Sequence, residues 1–526
     1  MRRINLLFAF ILIFCLASST VSAQSFEDYK RQQQAKFNSY AQKKTEEFRA
    51  YRDRVNAEYA DYMRKAWTRE EAQPAKPLPK RPEPPKPVVR ETIDIPLFDA
   101  IPIGNVIKPE KPDFKKPQPI IPLDELERLV ITAPKMPNDD VKPQDGVRPK
   151  DEVKPVTKPQ EEKKPEEKPE GFVFQWCGQT WGVPLDNQHR FRLKSVNETD
   201  VADAWKTLSE AKYGPVVAAC LKIRDSYQLP DWGYLYFLEA MANAFLSGKK
   251  NEAQLLEMFI LSQSGYQVRI ARSNEQLYLL VPSSGEIYEY TFLTLRGRKY
   301  YVVDKSAGRG SFFVFERDFP HAQPFTWQMG RLPLLAGEGK MRTLHGQRAP
   351  ELQPTVEISK PLIEFMNGYP RCNDWNNYAF VSLSEQAKTG LYPALRQSIK
   401  GKTKKDAVDI LLDFVQAAFE YKTDQEQFGK ERPLFGDETL FYPYCDCEDR
   451  SILFSILVRE LVGLDVVLLN YPEHLATAVC FNEDVEGDYF VLDGKRYVVC
   501  DPTYIGSHVG EAMPGFKNAK ATIIRL

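Results

Sequence analysis

Three residues near the carboxyl end of the chain have the types and spacing of a nucleophile, a base and an orienting acid. Cys447 stands in YPYCDCEDRSILFSILVRELVGLDVVLL, just before an apolar pattern that predicts a helix ending at Gly463. The free amides and positive dipole end of a helix N-terminus favour a thiolate, the form of cysteine that attacks carbonyl carbon. Glu448 and Asp449 oppose that effect, so a nucleophile here requires an imidazolium close by.

His474 and Asp501 can complete such a site. Of the five histidines in the chain, His474 is the one at the edge of a strand-like run, EHLATAVCF. A second run, RYVVCDPTY, carries Asp501 near its end. If these runs pair as an antiparallel hairpin, Asp501 can orient the imidazole while the other ring nitrogen faces Cys447. The pattern predicts a Cys-His-Asp triad, with His508, in a glycine-containing loop beyond the second run, as a spare base.

Zinc binding is the main competing chemistry for the cysteines of this region. Structural zinc normally has two to four residues between paired cysteines, whereas one residue separates Cys445 from Cys447. Cys480 and Cys500 are predicted as strand residues instead. Cys500 should point to the sheet face opposite Asp501, as a packing residue or a disulfide partner. We therefore expect no metal and no cofactor.

The order of these motifs resembles the transglutaminase-like superfamily, in particular its bacterial members of the cysteine-peptidase type. The likeness rests on a cysteine that opens a helix, a histidine before a strand, and a strand ending in Asp-Pro-Thr, and it covers residues 381–526. It implies Cys447 as nucleophile, His474 as general base and acid, and Asp501 as the orienting carboxylate. It also implies an oxyanion hole made of the Cys447 amide and an upstream side chain that the sequence does not identify.

The resemblance implies an α+β fold with a papain-like or transglutaminase-like core, in which the helix carrying the cysteine packs on an antiparallel sheet carrying the histidine and aspartate. A globular composition begins at Phe172. A segment rich in Pro, Gly and Arg around Leu332–Pro354 divides this globular region in two. We predict two domains of ordinary size, 172–350 and 355–526, the second of which is catalytic.

The first of these domains repeats the frame of the second without its chemistry. Aligning the domains at Gly265 and Gly463 gives three pairs of equivalent positions: Gln276 and His474, Asp304 and Asp501, and Lys249 and Cys447. The sequence therefore predicts a degenerate transglutaminase-like domain that lacks both nucleophile and base. Such a copy more often binds, orients or covers substrate than performs chemistry.

The start of the chain has the three parts of a secretory signal. MRRINLLFAFILIFCLASSTVSAQ joins a basic start to an apolar run and a small-residue cleavage site, which predicts a signal peptide at 1–23. Its apolar run of about 12 residues is shorter than the roughly 20 needed to span a bilayer. We expect an exported protein, periplasmic, extracellular or associated with the cell envelope. Removal of the signal leaves seven cysteines, an odd number that requires a free thiol or an intermolecular pair.

Residues 24–72 predict an amphipathic helix with an aromatic stripe. An eleven-residue repeat corresponds to 3.67 residues per turn, so its rings form a nearly straight line with slight right-handed drift. The eight rings are Phe26, Phe37, Phe48 and Tyr59, and Tyr29, Tyr40, Tyr51 and Tyr62. The stripe needs a partner surface. Self-association as in a coiled coil, packing on the body of the protein and binding to a cell-envelope partner all remain open.

Residues 73–171 are rich in Pro-Lys-Pro and Lys-Pro-Glu runs. Proline removes amide donors and fixes φ, so this composition predicts a semi-extended linker and not a core. Two less polar stretches, IDIPLFDAIPIGNVI and IIPLDELERLVI, are expected to dock onto the folded body.

The predicted function is hydrolysis of an amide bond in a peptide or protein substrate, through a thioester at Cys447. The thiol is expected to be partly exposed. Transamidation shares the first half of this reaction. An envelope binding or scaffold protein with a relic triad is the alternative from another class. Lys+Arg 71 against Asp+Glu 72 gives no bulk field that would bind nucleic acid.

Overall fold

The computed structural model describes a mixed α+β protein with a long N-terminal helix and several antiparallel sheets. The α+β class therefore agrees with the prediction. No helix in the described part of the chain combines the length and hydropathy that crossing a bilayer requires. The described residues, with side chains from residue 28 onward, are 2–79, 87–90, 98–109, 117, 119, 171–283, 285–372 and 374–526.

Along the described chain, groups of consecutive helices alternate with groups of consecutive strands. The helices are α1 Arg2–Met63, α2 Glu198–Glu210, α3 Gly214–Ser226, α4 Asp231–Phe245, α5 Lys250–Gln263, α6 Lys360–Gly368, α7 Trp375–Ala379, α8 Glu385–Ile399, α9 Lys404–Ala417, α10 Asp424–Phe428, α11 Gly436–Phe441 and α12 Cys447–Leu457. The strands are β1 Thr68–Glu71, β2 Ile103–Ile107, β3 Phe172–Trp176, β4 Gln179–Val183, β5 Arg269–Ser273, β6 Gln276–Ser283, β7 Phe292–Leu295, β8 Arg298–Val302, β9 Ser311–Val314, β10 Gly339–Thr343, β11 Thr355–Ser359, β12 Glu420–Tyr421, β13 Tyr444–Cys445, β14 Asp465–Asn470, β15 Leu475–Cys480, β16 Tyr489–Leu492, β17 Lys495–Cys500 and β18 Ala521–Arg525.

Two six-stranded sheets share one strand order. The first is β7-β8-β6-β5-β9-β1 and the second is β16-β17-β15-β14-β18-β2. Each follows a helix, α5 or α12, and in both cases the turn after the helix contains a glycine with positive φ, Gly265 or Gly463. Residues that face each other across neighbouring strands of the first sheet also have facing equivalents in the second sheet. Arg269–Leu280 is equivalent to Val467–Ala478, Leu280–Val302 to Ala478–Val499, and Phe292–Tyr301 to Tyr489–Val498. Apart from the edge strands β1 and β2, which differ in direction, the two sheets therefore share strand order, strand direction and the register of these pairs.

The edges of both sheets are covered by the N-terminal part of the chain. β1 pairs antiparallel with β9, and β2 pairs parallel with β18. The helix predicted for 24–72 thus ends at Met63, because the next residues join a sheet. The predicted linker is likewise more than a spacer, since its first apolar stretch supplies β2 and saturates an otherwise open edge. The second stretch, IIPLDELERLVI, lies outside the described residues.

The two predicted domains are packed into one body. Their buried apolar residues form a contiguous cluster, and the Trp232 indole on α4 donates to the Gly368 carbonyl at the end of α6 at 3.2 Å. β10 and β11 form an antiparallel pair across the predicted boundary at 350–355. That boundary therefore falls inside a hairpin.

The aromatic stripe of α1 is divided between packing and exposure. Tyr59 is 1% exposed and packs against Trp205, Phe315 and Phe319, with ring centroids 5.0, 5.7 and 5.0 Å away. Towards the N-terminus the rings lose contact with the body. Those that are more than half exposed are Tyr29, Phe37 and Tyr40. The end of the stripe thus fixes α1 to the first half of the body.

Candidate active site

Cys447 is the first residue of α12 and is fully buried. β13 leads into the helix, and Tyr421 on β12 pairs in parallel with Cys445 on β13. The Cys447 thiol donates to a Glu448 carboxylate oxygen at 3.1 Å. The expectation of a partly exposed thiol is wrong, because Cys447 is 0% exposed and belongs to the main hydrophobic cluster.

His474 and Asp501 form a buried hydrogen-bonded pair. The imidazole Nε2 donates to Asp501 Oδ2 at 2.8 Å, and Asp501 Oδ1 accepts from the Thr503 amide at 2.9 Å. Both carboxylate oxygens therefore have a donor that fixes their orientation. β15 and β17 are antiparallel as expected, but they are not a direct hairpin, because β16 lies between them in sequence and pairs on the far side of β17.

The imidazole faces away from the helix that carries the cysteine. Leu475 and Val479 on β15 belong to the cluster that includes α12. The His474 ring instead stacks near Tyr471 and Phe516, at 6.1 and 4.7 Å between centroids, and these two rings pack in the cluster on the opposite sheet face. His474 Nδ1 is buried and has no hydrogen-bond partner among the described residues. The hydrogen bond from cysteine to imidazole that a triad needs is not made in this structure.

The start of α12 nevertheless lies at the end of the sheet where His474 is found. The Ser451 hydroxyl donates to the Leu475 carbonyl at 2.7 Å. Cys447 is one helical turn before Ser451 on the same helix face, and His474 immediately precedes Leu475. The two predicted residues are therefore at the same end of the helix–sheet layer, separated by the plane of the sheet.

Two buried polar groups next to Cys447 were not identified from the sequence. Arg450 donates to the Phe419 carbonyl at 2.7 Å and to the Gln416 carbonyl at 3.4 Å, which ties α12 to the end of α9. The Tyr421 hydroxyl is buried without a hydrogen-bond partner in the described chain. Burial, followed by the neighbouring Cys447, raises the pKa of Tyr421 well above its usual range, so the hydroxyl stays a donor.

Only one of these two groups had a signal in the sequence. Arg450 is a charge inside the apolar pattern of α12 and could have been noticed for that reason. Tyr421 lies in a two-residue strand remote from the motif, and only the fold places it there.

Buried carboxylates surround the N-terminus of α12. Oxygen atoms of Asp424, Asp446 and Asp449 lie within 4.8 Å of one another, and Asp424, Glu431 and Glu448 form a second such group. Burial, reinforced by the neighbouring carboxylates, raises the pKa of Asp424, Asp446 and Asp449 well above the usual range. Such oxygen sets can hold a hard cation. The candidate ligand groups in the described chain consist of carboxylates alone.

The first half of the body has a polar cluster at the equivalent place. Lys250 Nζ lies 2.6 Å from Asp304 Oδ2, and the Gln276 amide donates to the same oxygen at 3.5 Å. Gln276 and Asp304 lie where the alignment placed them, at the positions equivalent to His474 and Asp501.

The alignment of Lys249 with Cys447 is wrong by one residue. Lys249 is the N-cap of α5 and Lys250 the first helical residue, whereas Asp446 is the N-cap of α12. A π turn at Val458–Val462 adds one residue between the start of α12 and its terminal glycine, and an ungapped alignment back from the glycine does not allow for this insertion. Lys250 therefore occupies the position of Cys447.

The remaining candidates lie apart from this site. His508 is engaged by Asp409, with 2.8 Å between Nδ1 and Oδ2, and by Arg348. Cys500 packs on the α12 side of the sheet. None of the described cysteines is in a disulfide: Cys177, Cys220, Cys372, Cys445, Cys447, Cys480 and Cys500.

A scan against models of known protein families found no match to the chain. Searches of curated proteins and of solved structures found no match either.

Proposed function

We propose that the protein is a transglutaminase-like cysteine hydrolase that cleaves amide bonds in peptide or protein substrates. The observation that carries this proposal is the buried His474–Asp501 hydrogen bond, at the sheet end where α12 begins with Cys447. Nucleophilic catalysis by a cysteine requires a base whose orientation a buried acid fixes, and His474 with Asp501 forms such a pair at the end of the layer where Cys447 opens α12. The motif order in the sequence adds independent support.

In this mechanism His474 Nδ1 takes the thiol proton of Cys447 as the sulfur attacks the substrate carbonyl carbon. The amide C–N bond then breaks, the imidazolium gives its proton to the leaving amine, and a thioester remains on Cys447. Water, deprotonated by the same imidazole, hydrolyses the thioester and frees the thiol. Asp501 keeps the tautomer that leaves Nδ1 available, since it accepts from Nε2.

Before it attacks, the Cys447 thiol must exchange its Glu448 partner for His474, which requires the imidazole to turn towards α12. Catalytic hydrogen bonds are often long or poorly aligned before substrate binds and tighten in the substrate complex. The unpartnered Nδ1 leaves that acceptor available. The Tyr421 hydroxyl, buried and unpartnered near Cys447, is the side chain we assign to the oxyanion hole together with the Cys447 amide.

We also propose that both halves derive from the helix–sheet core of this superfamily, one catalytic and one degenerate. The shared strand order and the matching register support a common ancestry. In the first half the Lys250–Asp304 ion pair fills the place of the triad. Export to the periplasm or cell envelope stays a prediction from residues 1–23.

A scaffold protein with a relic triad is the second candidate. It is favoured by the fully buried Cys447 thiol, its bond to Glu448 and the imidazole on the opposite sheet face. A relic site that no longer performs catalysis does not require a hydrogen bond between Cys447 and His474.

Digestion of an unbiased peptide library separates the two functions. The hydrolase proposal expects cleavage by the full chain and none by Cys447→Ala, with amine-capped products in the presence of a primary amine if transamidation dominates. Identical product profiles for the two proteins would exclude Cys447 as nucleophile and favour the scaffold.

A further inference from the structure

A short piece of the proline-rich linker lies against the loop that follows Asp501. The Arg90 amide donates to the Ile505 carbonyl and the Ile505 amide to the Val88 carbonyl, both at 2.9 Å. Val89 and Ile505 form a parallel β-bridge. Residues 87–90 thus pair with the backbone of Ile505 through one parallel β-bridge, in the way that peptides add to sheet edges.

The edge that receives this strand is held rigid from behind. The buried Gln416 amide donates to the Tyr504 carbonyl at 2.8 Å and to the Ser507 hydroxyl at 3.0 Å, and its oxygen accepts from the Gly506 amide at 3.1 Å. Arg450, one turn after Cys447 on α12, donates to the Pro502 carbonyl at 3.5 Å. The edge is therefore preformed and joined to the helix of the proposed nucleophile.

An open cavity of about 470 Å³ lies beside the edge, and Pro87 contributes to its wall. Ile505, Arg450 and Tyr421 line it too. The Tyr421 hydroxyl and the Arg450 Nε are both buried and have no hydrogen-bond partner among the described residues. Unpartnered buried donors at a cavity wall point to an acceptor supplied by a ligand, such as a peptide carbonyl.

Charge adds a side-chain preference. Arg90 Nη2 lies 2.8 Å from Glu511 Oε1, and the Glu511 side chain is 9% exposed. The edge therefore offers backbone pairing at Ile505 and a carboxylate for a basic side chain one residue beyond the bridge.

We propose that the Ile505 edge and the adjoining cavity bind the extended peptide substrate, with a basic residue at Glu511, and that residues 87–90 occupy this place as an intramolecular competitor. The proposal rests on the hydrolase function, because it assigns the substrate's binding groove. It names the substrate class as extended peptides that resemble the linker sequence Pro-Val-Val-Arg.

Peptide binding to the full-length Cys447→Ala protein tests this, since that variant cannot turn over. The probe is a fluorescent Lys-Pro-Val-Val-Arg-Glu peptide followed by fluorescence anisotropy. Adding Arg90→Glu weakens the tethered strand, so the peptide should bind about fivefold tighter, the effect of losing one partly exposed ion pair. Arg296→Glu, which reverses the charge in the exposed pair with Glu316, is the matched control and should leave binding unchanged.

Equal binding in the Arg90→Glu and control proteins, or no binding in either, would overturn the proposed groove. A probe with Glu in place of its Arg should bind about fivefold more weakly to the Arg90→Glu protein, and equal affinity would remove Glu511 from the groove. If the peptide binds as expected but active full-length protein cleaves no peptide, the hydrolase function fails and the groove stands. If peptides are cleaved but Arg90→Glu has no effect on binding, the groove fails alone.

Discussion

Asp501 uses both carboxylate oxygens, one for the His474 imidazole and one for the Thr503 amide. In Asp501→Asn the amide side chain favours the wrong imidazole tautomer. We expect turnover to fall by about 10⁴ while KM changes little. Steady-state kinetics with a cleaved library peptide measure this, and Asp304→Asn, at the equivalent place in the first half, should leave kcat unchanged. Unchanged kcat in Asp501→Asn would remove this residue from catalysis.

Tyr421 tests the oxyanion assignment. Phenylalanine keeps the ring and removes the hydroxyl, so Tyr421→Phe should lower kcat by about 10²–10³ with KM nearly constant. Tyr278→Phe, on β6 of the first sheet, is the control and should have wild-type kinetics. A loss confined to KM, or seen equally in both variants, would assign Tyr421 a binding or structural role instead.

At the residue scale the motif identified Cys447, His474 and Asp501, because their types and local spacing are visible in a linear sequence. The burial of Cys447 and the face of His474 were not visible. They depend on how α12 and the sheet pack, and on Tyr471 and Phe516, which reach the imidazole through tertiary structure. The Tyr421 hydroxyl was missed for the same reason.

At the scale of elements, the buried carboxylates at the N-terminus of α12 destabilise the folded protein when they are charged. The pKa of Asp446 is raised in the folded state by burial and neighbouring carboxylates, so the folded protein binds more protons than the unfolded one. Protonation of Asp446 stabilises the folded protein relative to the charged form. This stabilisation is complete below the unfolded pKa of about 4 and is lost as pH rises through the folded pKa.

Asp446→Asn removes that charge and keeps a residue that caps helices well. It should stabilise the protein by on the order of 1 kcal/mol at pH 8 and have little effect near pH 3.5. Urea unfolding at the two pH values measures the difference, with the exposed Asp61→Asn as control. Stabilisation of the same size at both pH values would show that charge burial is not the cause.

The Lys250 cluster permits a direct test of the first half as a non-catalytic element. Lys250→Cys with Gln276→His, made in a Cys447→Ala background, restores all three residue types around Asp304. We expect no hydrolysis, because nucleophile and base must meet within about 3 Å and face a placed oxyanion donor. The wild-type sequence at 250 and 276 in the same background is the control. Turnover of a library peptide would show that the first half keeps a working cleft.

Elements with their own periodic signal could be predicted, and those defined by partners could not. The α12 helix, the strands around His474 and Asp501 and the repeat in the first half all follow from local patterns. β1 and β2 do not, since Thr68–Glu71 and Ile103–Ile107 become strands only because an open sheet edge accepts them. The one-residue π insertion was missed because an ungapped alignment back from the glycine assumes equal helix lengths, whereas the stretch from Cys447 to Gly463 is one residue longer than that from Lys250 to Gly265.

At the scale of the whole molecule, the N-terminal helix and the described pieces of the linker pack on the body. Tyr59 anchors α1 on the first half, β1 extends the first sheet, and β2 extends the second. Between these two strands in sequence, residues 87–90 lie against the proposed substrate groove.

Site-resolved labelling of the full chain tests whether Cys447 is a nucleophile activated by His474. The protein would be treated with a peptidyl epoxide and each cysteine quantified by mass spectrometry. Cys372 and Cys480 are the half-buried thiols, while Cys447 is buried, so simple exposure predicts modification of the first two. The hydrolase account predicts modification of Cys447 ahead of both and loss of that preference in His474→Ala. Labelling that follows exposure and is unaffected by His474→Ala would contradict it.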